Sequence, residues 1–150
     1  MVLNAMFKVR APESSAEFSG YYDLRWRILR APWQQPRGSE RDAHEENAIH
    51  AMALNEDGRI IGVARLHQIN GATAQLRYMA VEEQWQQSGI GNALLRYLEE
   101  HAREHGIRLI KLNARENSVA FYRKRGYQVT GPGHLLYGEI QHQKMQKKLD

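Results

Sequence analysis

The chain has no cysteine among its 150 residues. That excludes a disulfide framework, a thiolate nucleophile and a cysteine-ligated metal centre. No His/carboxylate spacing argues for another metal site, so none is expected. No run of 18 or more apolar residues occurs, which excludes a helical membrane span. The opening stretch, Met1-Val2-Leu3-Asn4-Ala5-Met6-Phe7-Lys8-Val9-Arg10, lacks a basic segment followed by a long apolar core and does not read as a signal peptide. The expected location is cytoplasmic. There is no repeat, no low-complexity segment and no long linker, so residues 1–150 are expected to form one domain. A basic helix and a recognisable nucleic-acid module are also missing. The net charge of +4 and pI near 9.5 then read either as a solvated surface or as a field that attracts an anionic cofactor, and nucleic acid is not an expected partner.

What is present reads as alternating elements. Residues 14–29 carry apolar side chains at helical spacing behind a Ser14 or Ser15 cap with Glu17 near the first turn. The prolines and glycine of Ala31-Pro32-Trp33-Gln34-Gln35-Pro36-Arg37-Gly38 end that helix. Strands are predicted over Ala48 to Leu54, Arg59 to Gln68 and Thr73 to Val81. The turns Asn55-Glu56-Asp57-Gly58 and Asn70-Gly71 separate them. A helix from Gly91 to about His105 buries Leu94, Leu95, Leu98 and Ala102, and Gly106 ends it. A buried strand over Leu109 to Ala114, a short helix over residues 117–125 and strands over Tyr127 to Val129 and Ile140 to Leu149 complete the order. This is an α+β pattern: a sheet with helices on its faces.

The most informative stretch is Val81-Glu82-Glu83-Gln84-Trp85-Gln86-Gln87-Ser88-Gly89-Ile90-Gly91-Asn92-Ala93-Leu94-Leu95. A strand runs into a glycine turn, and a helix follows at once. Bare N–H groups at the positive end of a helix dipole make a candidate phosphate site. Gln86-x-x-Gly89-x-Gly91 resembles the Gln/Arg-x-x-Gly-x-Gly/Ala signature of the GCN5-related N-acetyltransferases (the GNAT superfamily). Phe121-Tyr122-x-x-x-Gly126-Tyr127 is similar to that family's second motif. Leu24-Arg25-x-x-Ile28-Leu29, Leu112-Asn113-Ala114-Arg115 and Gly138-Glu139-Ile140-Gln141-His142-x-x-Met145 resemble the ElaA-like branch.

The resemblance implies a GNAT-like, mostly antiparallel mixed sheet with helices on both faces and a splay between strands 4 and 5. The splayed strands are those carrying Leu76–Val81 and Leu109–Ala114. It implies acetyl-CoA (coenzyme A) as cofactor and a primary amine as the other partner. Extended pantetheine would then bond to the backbone of Met79, Ala80 and Val81. Gln86, Gln87, Ser88, Gly89, Ile90, Gly91 and Asn92 would wrap the pyrophosphate, and Asn113 and Asn117 lie near the cofactor. The Met79 N–H would polarise the thioester carbonyl. Tyr122 would be the general acid, because a phenol with a reference pKa of about 10 is protonated at neutral pH.

Three departures from the family pattern matter. Gln86 replaces the more usual arginine and Gln87 a frequent glycine, which shifts the phosphate grip onto backbone N–H groups. Arg115 stands where the family often has a cofactor-contacting asparagine. Gln75, which cannot ionise, occupies the position of a glutamate that serves some members as base. The remaining base candidates are Glu46, His50, His67, Glu139 and His142, with His142 foremost. Glu40, Asp42, Glu45 and Glu46 lie in the segment that covers the family's acceptor site, where they would either attract a cationic amine or form a solvated loop. The expected function is transfer of acetyl from acetyl-CoA to an amine by direct attack. The alternative is an acyl-CoA-binding sensor or regulatory module without turnover. An exposed C-terminal edge strand offers a route to a homodimer.

Overall fold

The computed structural model describes residues 7–150. Seven strands form one sheet: β1 (Phe7–Arg10), β2 (Ile49–Asn55), β3 (Ile60–Gln68), β4 (Thr73–Val81), β5 (Leu109–Arg115), β6 (Gln128–Leu136) and β7 (Ile140–Lys148). Their order across the sheet is β1-β2-β3-β4-β5-β7-β6. Only β4 and β5 run parallel; the other neighbours are antiparallel. The helices are α1 (Ser15–Leu29), α2 (Ile90–Glu104) and α3 (Val119–Arg123).

Local chemistry sets these elements. Ser14 caps α1 by accepting a hydrogen bond from the Glu17 N–H at 3.1 Å. The hairpin between β2 and β3 closes on Asn55, whose side chain accepts from the N–H groups of Asp57 and Arg59 while Gly58 takes a φ of 80°. Asn70 repeats the device before β4, accepting from Ala72 and Thr73. At the other end of α2, Gly106 adopts a φ of 75°, which ends the helix.

The two faces of the sheet are covered separately. On one, α2 packs Ile90, Leu94, Leu95, Leu98 and Ala102 onto Ala51, Ala53, Ile61, Ala64, Leu66 and Leu76, and the cluster continues through Leu112, Ala114, Tyr122 and Met145. On the other, Tyr21 and Leu24 of α1 pack against Met52, Leu54, Val63 and Ala80. Strand alternation dictates this partition, since neighbouring residues point to opposite faces.

Three elements depart from the pattern read in the sequence. β1 precedes α1 and pairs with the far end of β2, Phe7 opposite Asn55. β6 extends through Gly131-Pro132-Gly133 to Leu136, because it is an edge strand and a proline there costs no ladder bond on its open side. The C-terminal strand β7 is not an edge: β5 and β6 flank it, and the open edges belong to β1 and β6. Among the described residues no helix is long and apolar enough to cross a membrane.

Candidate active site

β4 and β5 pair at only three positions, Thr73 with Leu109, Ala74 with Ile110 and Gln75 with Lys111. Beyond Gln75 the two strands run on without each other, to Val81 and Arg115. The cause lies in β4. Its register with β3 passes from Arg65–Arg77 to Val63–Ala80, so Tyr78 and Met79 both stand opposite Ala64 alone. Tyr78 takes a left-handed φ of 61° there. Such a bulge bends and twists its strand, and here it turns β4 away from β5. Met79, Ala80 and Val81 consequently have no β5 partners.

A cavity of about 220 Å³ occupies the gap. Its walls come from both faces of the sheet: Leu112, Ala114 and Tyr122 from the α2 face, and Gln75, Arg77, Asn113, Arg115 and His142 from the α1 face. The cavity therefore passes through the sheet. Met79 lies in its wall, and the Tyr122 hydroxyl lies 3.8 Å from the Met79 sulfur. Burial pushes the Tyr122 phenol well above its ordinary pKa, so it is held protonated. His142 is buried too, with its Nδ1 2.9 Å from the Ile140 carbonyl. A carbonyl only accepts, so Nδ1 carries the hydrogen and Nε2 keeps its lone pair. Burial lowers the His142 pKa, and the stacked His134 ring, 4.3 Å away, adds to that effect.

The start of α2 lies close to this cavity. Gly89 is its N-cap, with a φ of 87° and no side chain to serve as a cap. The first bond of the helix runs from the Ala93 N–H to the Gly89 carbonyl, so the N–H groups of Ile90, Gly91 and Asn92 have no acceptor within the helix. Gly91 makes the close approach possible: a Cβ there would lie 3.2 Å from the Phe121 ring and 3.7 Å from the Met79 sulfur. Gln86 turns its amide back to the Val81 carbonyl at 3.2 Å, and Gln87 sits at a left-handed φ of 64°. Gln86, Gln87, Ser88, Gly89, Ile90, Gly91 and Asn92 thus form one continuous turn beside the splay.

Arg125 is a residue the motif reading passed over. Its Nε donates to Asn92 Oδ1 at 2.8 Å, its Nη1 donates to the Phe121 carbonyl at 2.7 Å, and its guanidinium stacks 3.9 Å over the Phe121 ring. It brings a guanidinium to the start of α2, where Gln86 supplies none. The signal was the basic run 123–125, but only the fold shows which of its members turns inward.

Other candidates fall elsewhere. Asn117 is exposed in the short turn Glu116–Ser118 before α3, whose N-cap is Ser118. Glu139 is exposed at the β6–β7 turn. His50 is bonded at both ring nitrogens, to the Tyr21 hydroxyl and the Glu45 carbonyl. His67 Nδ1 accepts from Arg65 at 2.8 Å. Burial, with Arg65 second, pulls its pKa down to about 4.

The acidic segment does not present free carboxylates to the splay. Asp42 and Glu45 bind the fully buried guanidinium of Arg65; Glu45 also takes Arg25, and Asp42 takes Arg77. Burial opposes the Asp42 charge, but the Arg65 bonds and the His44 N–H overcome it and hold its carboxyl far below the usual range. Glu40, Glu45 and Glu46 line a different cavity, against α1. Burying Arg65 is possible only with such partners, so the segment closes over the sheet as a strap of ion pairs.

Residues 18–127 match the family model described as Acetyltransferase (GNAT) family. The chain belongs to that family. Its curated relatives include the uncharacterized protein YdhI of Bacillus subtilis, 40% identical over 79 residues, a match covering 51% of this chain and 48% of YdhI. The chain thus spans about half the length of that relative. Among solved structures, Escherichia coli ElaA shares the GNAT fold with a TM-score of 0.79 at 15% identity, covering 94% of this chain and 97% of ElaA. An aminoglycoside 6'-N-acetyltransferase complexed with coenzyme A superposes with a TM-score of 0.76 at 18% identity, covering 94% and 96%. The mixed sheet with one parallel pair at β4–β5 is the GNAT arrangement that the sequence resemblance implied.

Proposed function

We propose that this GNAT protein transfers acetyl from acetyl-CoA to the primary amine of an acceptor by direct attack. The observation that carries the reading is the juxtaposition of an uncapped α2 N-terminus with a cavity running between β4 and β5. The first is suited to a diphosphate, the second to an extended arm that bonds to unpaired strand backbone. The residues fit the cofactor. Ile90, Gly91 and Asn92 offer N–H groups, Arg125 adds positive charge, and Met79, Ala80 and Val81 offer backbone without a β5 partner. Bound acetyl-CoA would supply an activated thioester carbonyl.

The chain's own groups supply the proton chemistry. The Met79 N–H is the donor for the carbonyl oxygen. His142, neutral with a free Nε2, takes the proton of the incoming ammonium. Tyr122, kept protonated by burial, holds the proton that a departing thiolate takes. The experiment is calorimetric titration with acetyl-CoA and coenzyme A, with ATP and NAD as controls, followed by thiol release with amines. One-site binding of the coenzyme A pair alone supports the reading; its absence overturns it. A sensor without turnover would bind acetyl-CoA but release no thiol with any amine.

A further inference from the structure

On the α1 side of the splay the cavity wall carries arginines and no carboxylate. Arg30, Arg77 and Arg115 line it beside His134 and His142, and no Asp or Glu does. Arg77 belongs to the strap, where three guanidiniums (Arg25, Arg65, Arg77) share the two carboxylates of Asp42 and Glu45, leaving one positive charge in excess. Arg30 is held in place by neutral oxygens only: its Nε donates to the Ser39 carbonyl and its Nη1 to the Tyr137 hydroxyl at 2.9 Å. Arg115 is half-buried and has no hydrogen-bond or ion-pair partner among the described residues. Two guanidiniums facing one cavity without a counter-charge are costly to keep unless an anion completes them.

The cofactor's phosphates are not that anion. The uncapped turn of α2 serves them on the opposite face of the sheet, where Leu112, Ala114 and Tyr122 lie. Arg115 alternates with Ala114 and therefore projects to the α1 face, where it stands directly across the β5–β7 ladder from His142. We propose that the acceptor is an amine that also carries a carboxylate a few bonds away, as an α-amino acid does, and that Arg115 and Arg30 bind this carboxylate while its amino group faces His142. The proposal rests on the acetyltransferase reading and names its substrate class. Arg115 and His142 are cross-strand neighbours on one face of the sheet, so both side chains serve the same side of the cavity. A burial-lowered Arg115 pKa, with Arg30 as the second cause, agrees with an uncompensated pair of cations. Acceptors carrying several positive charges and no acid would meet repulsion at the same wall.

The test uses the coenzyme A-loaded protein, titrated calorimetrically with the twenty proteinogenic amino acids and with the amines left when each loses its carboxylate. At least one amino acid should bind about tenfold or more tightly than its decarboxylated counterpart. Arg115→Gln and Arg30→Gln should each shrink that ratio, and the double variant should erase it, with thermal melts confirming that each variant folds. A panel in which no amino acid outbinds its amine overturns the proposal, as does a preference that survives the double variant. Titration with acetyl-CoA reports separately on the activity. Tight acetyl-CoA binding without a carboxylate preference removes the substrate class alone. Failure to bind acetyl-CoA removes the acetyltransferase reading, while an Arg115-dependent preference of the unloaded protein would still support the carboxylate site.

Discussion

Tyr122 and His142 line the same cavity, yet burial pushes their protons in opposite directions: it holds the phenol protonated and the imidazole free. That division assigns acid and base work and makes it measurable. Tyr122→Phe should lower kcat about 10²-fold or more and leave acetyl-CoA affinity within error, because the hydroxyl's one protein contact is a weak one to a sulfur; unchanged turnover would remove it from the chemistry. For His142 the lowered pKa means the neutral base persists to pH values under the ordinary histidine value of about 6.5. The kcat profile should therefore rise through a pKa below that value and then stay level into the alkaline range. His142→Gln should abolish the acid limb, and a retained limb would assign the base elsewhere. Asp42 titrates in the opposite sense. Its folded pKa is depressed, so the stability it contributes is fully present above about pH 4 and is lost as pH falls below that. Acid unfolding of Asp42→Asn should be correspondingly less steep.

At the level of elements, the strap over residues 40–45 and the first turn of α2 do different jobs. Arg65→Met would leave Asp42 and Glu45 beside one another without their shared buried partner. Urea unfolding should show a loss of about 3 kcal/mol, the scale for breaking a buried pair. Gly91→Val would drive a branched side chain into Phe121 and Met79, and acetyl-CoA affinity should fall while the urea midpoint moves little, since the clash lies at the helix start. The helices, hairpins and glycine turn were legible in sequence because each is written locally: 3.6-residue periodicity in 90–104, Asn-rich turns at 55–58 and 70–71, Gly89 at a helix start. β1 and the full β6 were not, because the alternation Phe7-Lys8-Val9-Arg10 is only four residues long and Gly131-Pro132-Gly133 reads as a turn until its strand is known to be an edge. The strap was also hidden. Nothing about Arg65 in a strand, or Asp42 in a loop, says that 23 residues of separation will close on a buried ion pair. Arg125 and the unpaired Arg115 are legible only once the faces of the sheet are known.

For the whole molecule, charge and topology decide how ligands arrive. The net charge is +4, and Arg30, Arg115 and Arg125 stand around the splay. Acetyl-CoA binding should weaken several-fold between roughly 50 and 500 mM salt, as the Debye length shrinks; a salt-independent affinity would place the phosphates away from these cations. The sheet is fastened across its middle by three β4–β5 pairs, and beyond them the two halves are joined by α2, whose Glu99 takes Tyr127 and Lys147 and whose Asn92 takes Arg125. That gap can be watched directly, because a chain with no native cysteine carries no background thiol. Spin labels on Gln84→Cys and Glu116→Cys, both exposed and on opposite sides of the opening, give a molecular ruler whose distance distribution reads the width of the gap and its narrowing when ligand is added.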